Sequence, residues 1–128
     1  MLEIDKLFPE ANAPVKNGAS YDLIACTHGI IEPGHRAVVP LGFILKVPDG
    51  LYARITARTG LFIKQGLIVI ADMIDPDYTG ELKVVLYNSD LYKPFVFHPG
   101  YNIAQLVLER YETPDVVEVK TYYKVTGI

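Results

Sequence analysis

The chain has 128 residues, half of them hydrophobic, a formal charge of -3 and a pI near 5.5. That length and apolar content suit one domain with its own core, residues 1–128, and the acidic balance argues against a duplex-binding surface, which is normally basic. Cys26 is the lone cysteine, which excludes an internal disulfide and a cysteine-based zinc site. At the N-terminus, MLEIDKLFPE carries acids where a secretory leader would be basic and then apolar. No apolar run reaches the roughly 20 residues that span a bilayer. The chain therefore reads as soluble and intracellular, cytoplasmic or nuclear, with neither a membrane nor a nucleic-acid polymer among its partners.

Strand candidates follow in chain order at Arg36–Val39, Gly42–Val47, Leu51–Thr56, Leu67–Ile70, Glu81–Tyr87, Pro94–Phe97, Ile103–Glu109 and Val116–Tyr123. They are rich in Val, Ile, Leu, Tyr and Phe, which fit a pleated, half-buried surface. Turn chemistry separates them: Glu32-Pro33-Gly34, Pro48-Asp49-Gly50, Asp90–Pro94 and Pro99-Gly100. Many short strands at near-regular spacing predict an all-β sandwich, barrel or jelly roll. One stretch, Thr59 to Gly66, predicts one or two helical turns, with Thr59 as N-cap and Gly66 as stop.

Two stretches carry candidate chemistry. Arg58-Thr59-Gly60 at a helix start suits a phosphate; taken alone, it reads better as an ordinary capped turn with a surface arginine. MIDPDYTGE, residues 73 to 81, places several carboxylates beside a greasy run. Pro76 presets a backbone angle, Asp75 and Asp77 can accept from nearby N–H groups, and Gly80 eases the exit, so the stretch reads as a turn. A carboxylate held beside a pocket can also take a proton from water, and the two readings are compatible.

Four segments taken together resemble the ordered motifs of the trimeric dUTP diphosphatase (dUTPase) family. Asn17-Gly18-Ala19-Ser20-Tyr21-Asp22-Leu23 is similar to the first motif, AGYDL, and Ala57-Arg58-Thr59-Gly60-Leu61 to the second, RSSGL. Met73 to Glu81 is similar to the third, G-x-I-D-x-D-Y-x-G-E, and Gly100 to Val107 to the fourth, GDRIAQL. The resemblance runs from about Gly18 to Glu109. It implies a jelly-roll-like β subunit with at most one short helix. It also implies a homotrimer with active sites shared between subunits, and hydrolysis of dUTP to dUMP and pyrophosphate with Mg²⁺.

The resemblance also implies roles. Asp75 would hold and activate the attacking water. Tyr78 would pack beneath the deoxyribose and leave no room for a 2′-hydroxyl, although plain packing at a strand start explains it as well. Arg58, Thr59, Gly60 and Gln105 would meet the phosphates. Asp22 would hold a water in the Mg²⁺ shell, since that ion takes oxygen ligands and keeps several waters. An Ile68–Ile74 hairpin, with Ile70, Ala71 and Ile74, would read uracil through its backbone. Asp77 and Glu81 read as structural, and His28, His35 and His98 show no ligand spacing.

The chain departs from the pattern at four places. Ser20 replaces the first-motif glycine, Asp72 stands where glycine precedes the third motif, and Tyr101-Asn102 replace the Asp-Arg pair of the fourth. The glycine-rich fifth motif is replaced by a divergent arm over about residues 115–128. Alignment of the final Thr126-Gly127 puts Tyr123 at the position that stacks on uracil. These departures motivate a second reading, a non-catalytic dUTPase-like protein that binds nucleotides or another protein. A third reading is a dCTP deaminase-like enzyme, which the IDPDYTGE stretch fits less well.

Overall fold

In the computed structural model, residues 1–70 and 73–121 are described. Eleven strands and one helix follow in order among them: β1 (Glu3–Lys6), β2 (Val15–Asn17), β3 (Ser20–Ile24), β4 (Gly29–Ile31), β5 (Arg36–Lys46), β6 (Leu51–Thr56), α1 (Thr59–Gln65), β7 (Leu67–Val69), β8 (Met73–Ile74), β9 (Glu81–Asn88), β10 (Phe95–Phe97) and β11 (Asn102–Arg110). They build a four-stranded sheet in the order β1-β5-β9-β7, a five-stranded sheet in the order β2-β3-β11-β6-β8, and a small β10-β4 pair. All pairings are antiparallel. The all-β expectation with one short helix holds.

The core follows from alternation. On β9, Leu82, Val84 and Leu86 are buried while Lys83 points out; on β6, Ala53 and Ile55 are buried. These residues meet Leu23, Phe43, Ile103 and Leu106 in one apolar cluster that draws on both large sheets, so the sheets face each other as a sandwich. Ile31, Phe95 and Phe97 of the small pair close one end of it. Each fully buried aliphatic side chain contributes about 1.5–3 kcal/mol relative to exposure. Among the described residues Asn88 is the one buried polar side chain. Its amide donates to Ile31 O and Lys93 O at 2.9 Å each and accepts from Asp90 N at 3.0 Å, which satisfies it where water cannot reach.

Several expectations need correction. Arg36–Val39 and Gly42–Val47 are one strand, β5, because a register shift against β9 between Pro40 and Ile44 absorbs the break. Gly42 makes that possible: its φ is +79°, and its N–H reaches Glu81 Oε2 at 2.9 Å. The Val116–Tyr123 strand does not form over residues 116–121; the remainder lies outside the described residues. Thr59 is the first helical residue, and the N-cap is Arg58, which has extended angles and no side-chain cap bond. Gly66 ends the helix in the left-handed region as expected. Of the expected Ile68–Ile74 hairpin, the described residues lie in different sheets and do not pair with each other: β7 pairs with β9 in one large sheet and β8 with β6 in the other; Ala71 and Asp72 lie outside the described residues. β1, β2, β3, β4 and β8 are not legible as strands in the sequence, because each is only two to five residues long.

Candidate functional site

The first-motif residues form a tight hairpin. Asn17 pairs with Ser20, leaving the two-residue loop Gly18-Ala19. Gly18 has φ +62° and Ala19 has no positive φ, the pattern of a type II′ turn. The turn launches β3, on which Ser20 and Asp22 point to the outer face while Leu23 enters the core. Asp22 lies opposite Gln105 on β11, and Gln105 lies opposite Thr56 on β6. Cross-strand partners share a face, so Asp22, Gln105 and Thr56 form one row on the outside of the five-stranded sheet.

Hydrogen bonds tie this row together. Asn17 Nδ2 donates to Asp22 Oδ2 at 3.3 Å, and Ser20 Oγ donates to Gln105 Oε1 at 2.9 Å. Just beyond Thr56, Arg58 Nη1 donates to Asn102 O at 3.3 Å, and Thr59 and Gly60 open the helix, exposed to solvent. Asn102 Oδ1 is buried with no donor among the described residues. The row thus offers one guanidinium, one amide, a hydroxyl and one carboxylate within a small area, a set suited to a polyphosphate. Asp22 supplies the hard oxygen that Mg²⁺ prefers. Among the described residues no group of three or more His, Cys, Asp or Glu gathers for a metal. This donor set therefore fits an ion held chiefly by phosphate oxygens and reached by Asp22 through water.

The third motif sits elsewhere on the same chain. Asp75 does form the turn: its Oδ1 accepts from Asp77 N at 3.1 Å, and its carbonyl accepts from Tyr78 N at 2.9 Å. The carboxylate is exposed, aimed by the bend that it helps to make. Tyr78 donates its hydroxyl to Glu81 O at 2.6 Å, and its ring lies on Gly80, where an added Cβ would come within 2.7 Å of the hydroxyl. Asp75 and Tyr78 share a cavity of about 300 Å³ with Met73, Ile74, Lys83 and Val85. Ile70 is exposed and donates its N–H to Val85 O at 3.0 Å, while Ile74 is half-buried on β8. Ala71, Asp72 and Tyr123 lie outside the described residues.

The structure therefore divides the expected site into two groups. Ile74, next to Asp75, pairs with Ala53 on β6, three residues from Thr56. That is about 10 Å along the strand, with a further strand to cross to Gln105. Two features escaped sequence reasoning. Ser20 bonds to Gln105, and Glu81 ties the end of the third motif to β5 through Gly42. Both are contacts between distant positions that no local pattern announces. A third cluster decorates the far end of the outer face: Glu109 accepts from Tyr52 Oη and, at 2.6 Å, from Arg54 Nη2. The Tyr52 hydroxyl, then the Arg54 guanidinium, hold the Glu109 carboxyl below its ordinary range. The Cys26 thiol is pushed up, chiefly by burial.

Comparison with known proteins fits this geometry. The dUTPase family model matches residues 9–126. The chain is 39% identical over 121 residues to a deoxyuridine 5'-triphosphate nucleotidohydrolase of Paramecium bursaria Chlorella virus 1, covering 92% of this chain and 85% of that protein. It is 40% identical over 123 residues to the enzyme of that name from Yarrowia lipolytica, covering 94% and 78%. A dUTPase from phage phi11 of Staphylococcus aureus, described as coordinating a structural Mg(II) ion, shares the fold. Its TM-score is 0.87 at 24% identity, with 95% of this chain and 98% of that chain covered. This chain belongs to the dUTPase family.

Proposed function

We infer that this chain hydrolyses dUTP to dUMP and pyrophosphate. Family membership supports the reaction, and the observation that carries the site is the Asp75 turn, which presents an exposed carboxylate beside the cavity that it shares with Tyr78. Asp75 accepts a proton from water as the water oxygen bonds to the innermost phosphorus. The bond from that phosphorus to the bridging oxygen breaks, and pyrophosphate leaves. Such assistance is typically worth about 10²–10⁴ in rate. Tyr78, fixed by its bond to Glu81 O and by Gly80 beneath it, is the platform for the deoxyribose. A rigid ring there disfavours a 2′-hydroxyl by contact. The backbone around Ile70, Ala71 and Ile74 is assigned to uracil, and Tyr123 to the covering of the base.

Arg58, Thr59, Gly60 and Gln105 bind and orient the phosphates. Asp22 would hold Mg²⁺ through water, and the ion would neutralise charge on the triphosphate. The roughly 10 Å between the Asp75 edge and the Gln105 row supports a site completed by a second copy, because a general base must lie within about 3 Å of the water that it serves. We assign a homotrimer. Exposed apolar side chains on the isolated chain, such as Ile30 at 62% and its cross-strand partner Val96 at 41%, favour assembly. Among the described residues no helix is long and apolar enough to cross a membrane. The test is pyrophosphate release from dUTP and Mg²⁺. Wild-type protein should release it, and failure to exceed an Asp75→Asn control would end this reading.

A further inference from the structure

Gln105 carries an amide whose two ends are opposite in kind: Oε1 only accepts and Nε2 only donates. A half-turn about the last torsion exchanges them at almost no steric cost, so the shape of the pocket alone cannot choose between them. Only one orientation suits an anion. With Nε2 outward the residue donates to a phosphate oxygen; with Oε1 outward it repels one.

The hairpin at Gly18-Ala19 decides. It places Ser20 Oγ 2.9 Å from Gln105 Oε1 and 3.3 Å from Asn17 O. The hydroxyl has one proton. Given to Oε1 across the shorter contact, it pins the acceptor end of the amide toward β3. The planar group then turns Nε2 the other way, toward β6, whose C-terminal end leads into Arg58 and Thr59. Given instead to Asn17 O, it would leave Oγ to accept from Nε2 and would swing Oε1 toward the phosphates. The same turn holds Asp22 through Asn17 Nδ2 at 3.3 Å, so one two-residue loop orients both neighbours of the row. Glycine, the family residue at this position, has no hydroxyl and cannot make this choice.

We propose that Ser20 is a positioning residue which locks the Gln105 amide with its donor end toward the phosphates of the substrate. The proposal rests on the dUTP reading above. A phosphate contact present alike in ground and transition states changes KM and leaves kcat alone. Ser20→Ala is therefore expected to raise KM for dUTP about three- to tenfold, the scale of one ordinary hydrogen bond, with kcat within about twofold. In a Gln105→Leu background, Ser20→Ala should add nothing. A purely structural role for Ser20 would instead cost the same with or without Gln105. The second measurement needs no substrate: the side-chain ¹⁵N–¹H₂ pair of Gln105 in wild-type protein should shift in Ser20→Ala. An unchanged amide pair, an unchanged KM in a protein that turns over dUTP, or an undiminished Ser20→Ala effect without Gln105 would each overturn the lock. If wild-type protein releases no pyrophosphate, the dUTP reading falls by itself, and the amide pair still decides whether Ser20 holds Gln105.

Discussion

One carboxylate at Asp75 makes the turn and is the base that we propose. One oxygen caps Asp77 N and so shapes the bend, and the exposed group is what that bend presents to the cavity. Asp75→Asn keeps an oxygen for the cap and removes the base, so it should cut kcat for dUTP by about 10²–10⁴ while the melting temperature stays within a few degrees. Asp75→Ala should lower both. Glu109 makes a different prediction. Its carboxyl titrates below the ordinary range because the Tyr52 hydroxyl and Arg54 bond to the ionised form. A depressed folded-state pKa contributes stability above the unfolded value, and that stability is lost as pH falls through the folded one. Asp90, whose carboxylate accepts from Lys93 N and Tyr92 N, acts with the same sign. Melting temperature should therefore fall on acidification below the ordinary carboxylate range. Tyr52→Phe, which removes the largest cause at Glu109, should lower the melting temperature at neutral pH, leave it less affected in acid, and so flatten that fall.

Among the elements, β5 shows how a break in pattern becomes a joint. Pro40 and Gly42 read as an interruption because one lacks an N–H and the other weakens a strand. In the fold they are where β5 slips register on β9, and the N–H freed by the slip is satisfied by Glu81. Gly42 tolerates no side chain for two reasons. Its φ is +79°, and an added Cβ would sit 2.6 Å from the Phe8 ring and 2.9 Å from the Ala11 methyl. Gly42→Ala should cost more than about 1 kcal/mol in urea unfolding, and should lower activity as well, because the joint anchors the end of the third motif through Glu81. A Glu81→Gln variant, which retains an acceptor for Gly42 N–H, should be milder in both measurements. The helix illustrates the converse. Its cap at Gly66 is legible because a left-handed C-terminus favours glycine, whereas the N-cap at Arg58 is not, because an N-cap without a side-chain bond leaves no signature.

Across the whole molecule, the two groups of site residues set the prediction. If Asp75 of one copy serves phosphates held by Arg58 and Gln105 of another, an Asp75→Asn protein and a Gln105→Leu protein can rescue each other. Unfolded together and refolded, the mixture should form hybrids containing a site with wild-type Asp75 and wild-type Gln105. It should then show more activity than the sum of the two proteins refolded apart. Light scattering should give a mass of three times the 14.3 kDa chain. No rescue in a confirmed hybrid trimer would place the whole site within one copy.

By itself the sequence determined the class of fold and the chemistry. Alternating apolar residues such as Leu82, Val84 and Leu86 dictate a sheet face, glycines at left-handed positions dictate turns, and the ordered motifs around Asp22, Arg58, Asp75 and Gln105 point to the family and its reaction. Those signals are local, each spanning a few residues of backbone preference or functional-group identity. Only the tertiary structure decided that Ser20 meets Gln105 across 85 positions, that Glu81 reaches Gly42, and that β7 and β8 part into different sheets. It also decided how far Asp75 lies from the row that it would serve. The physical reason is that strand pairing is non-local. Register and sheet order depend on which faces can be buried together, and that balance is struck over the whole chain at once.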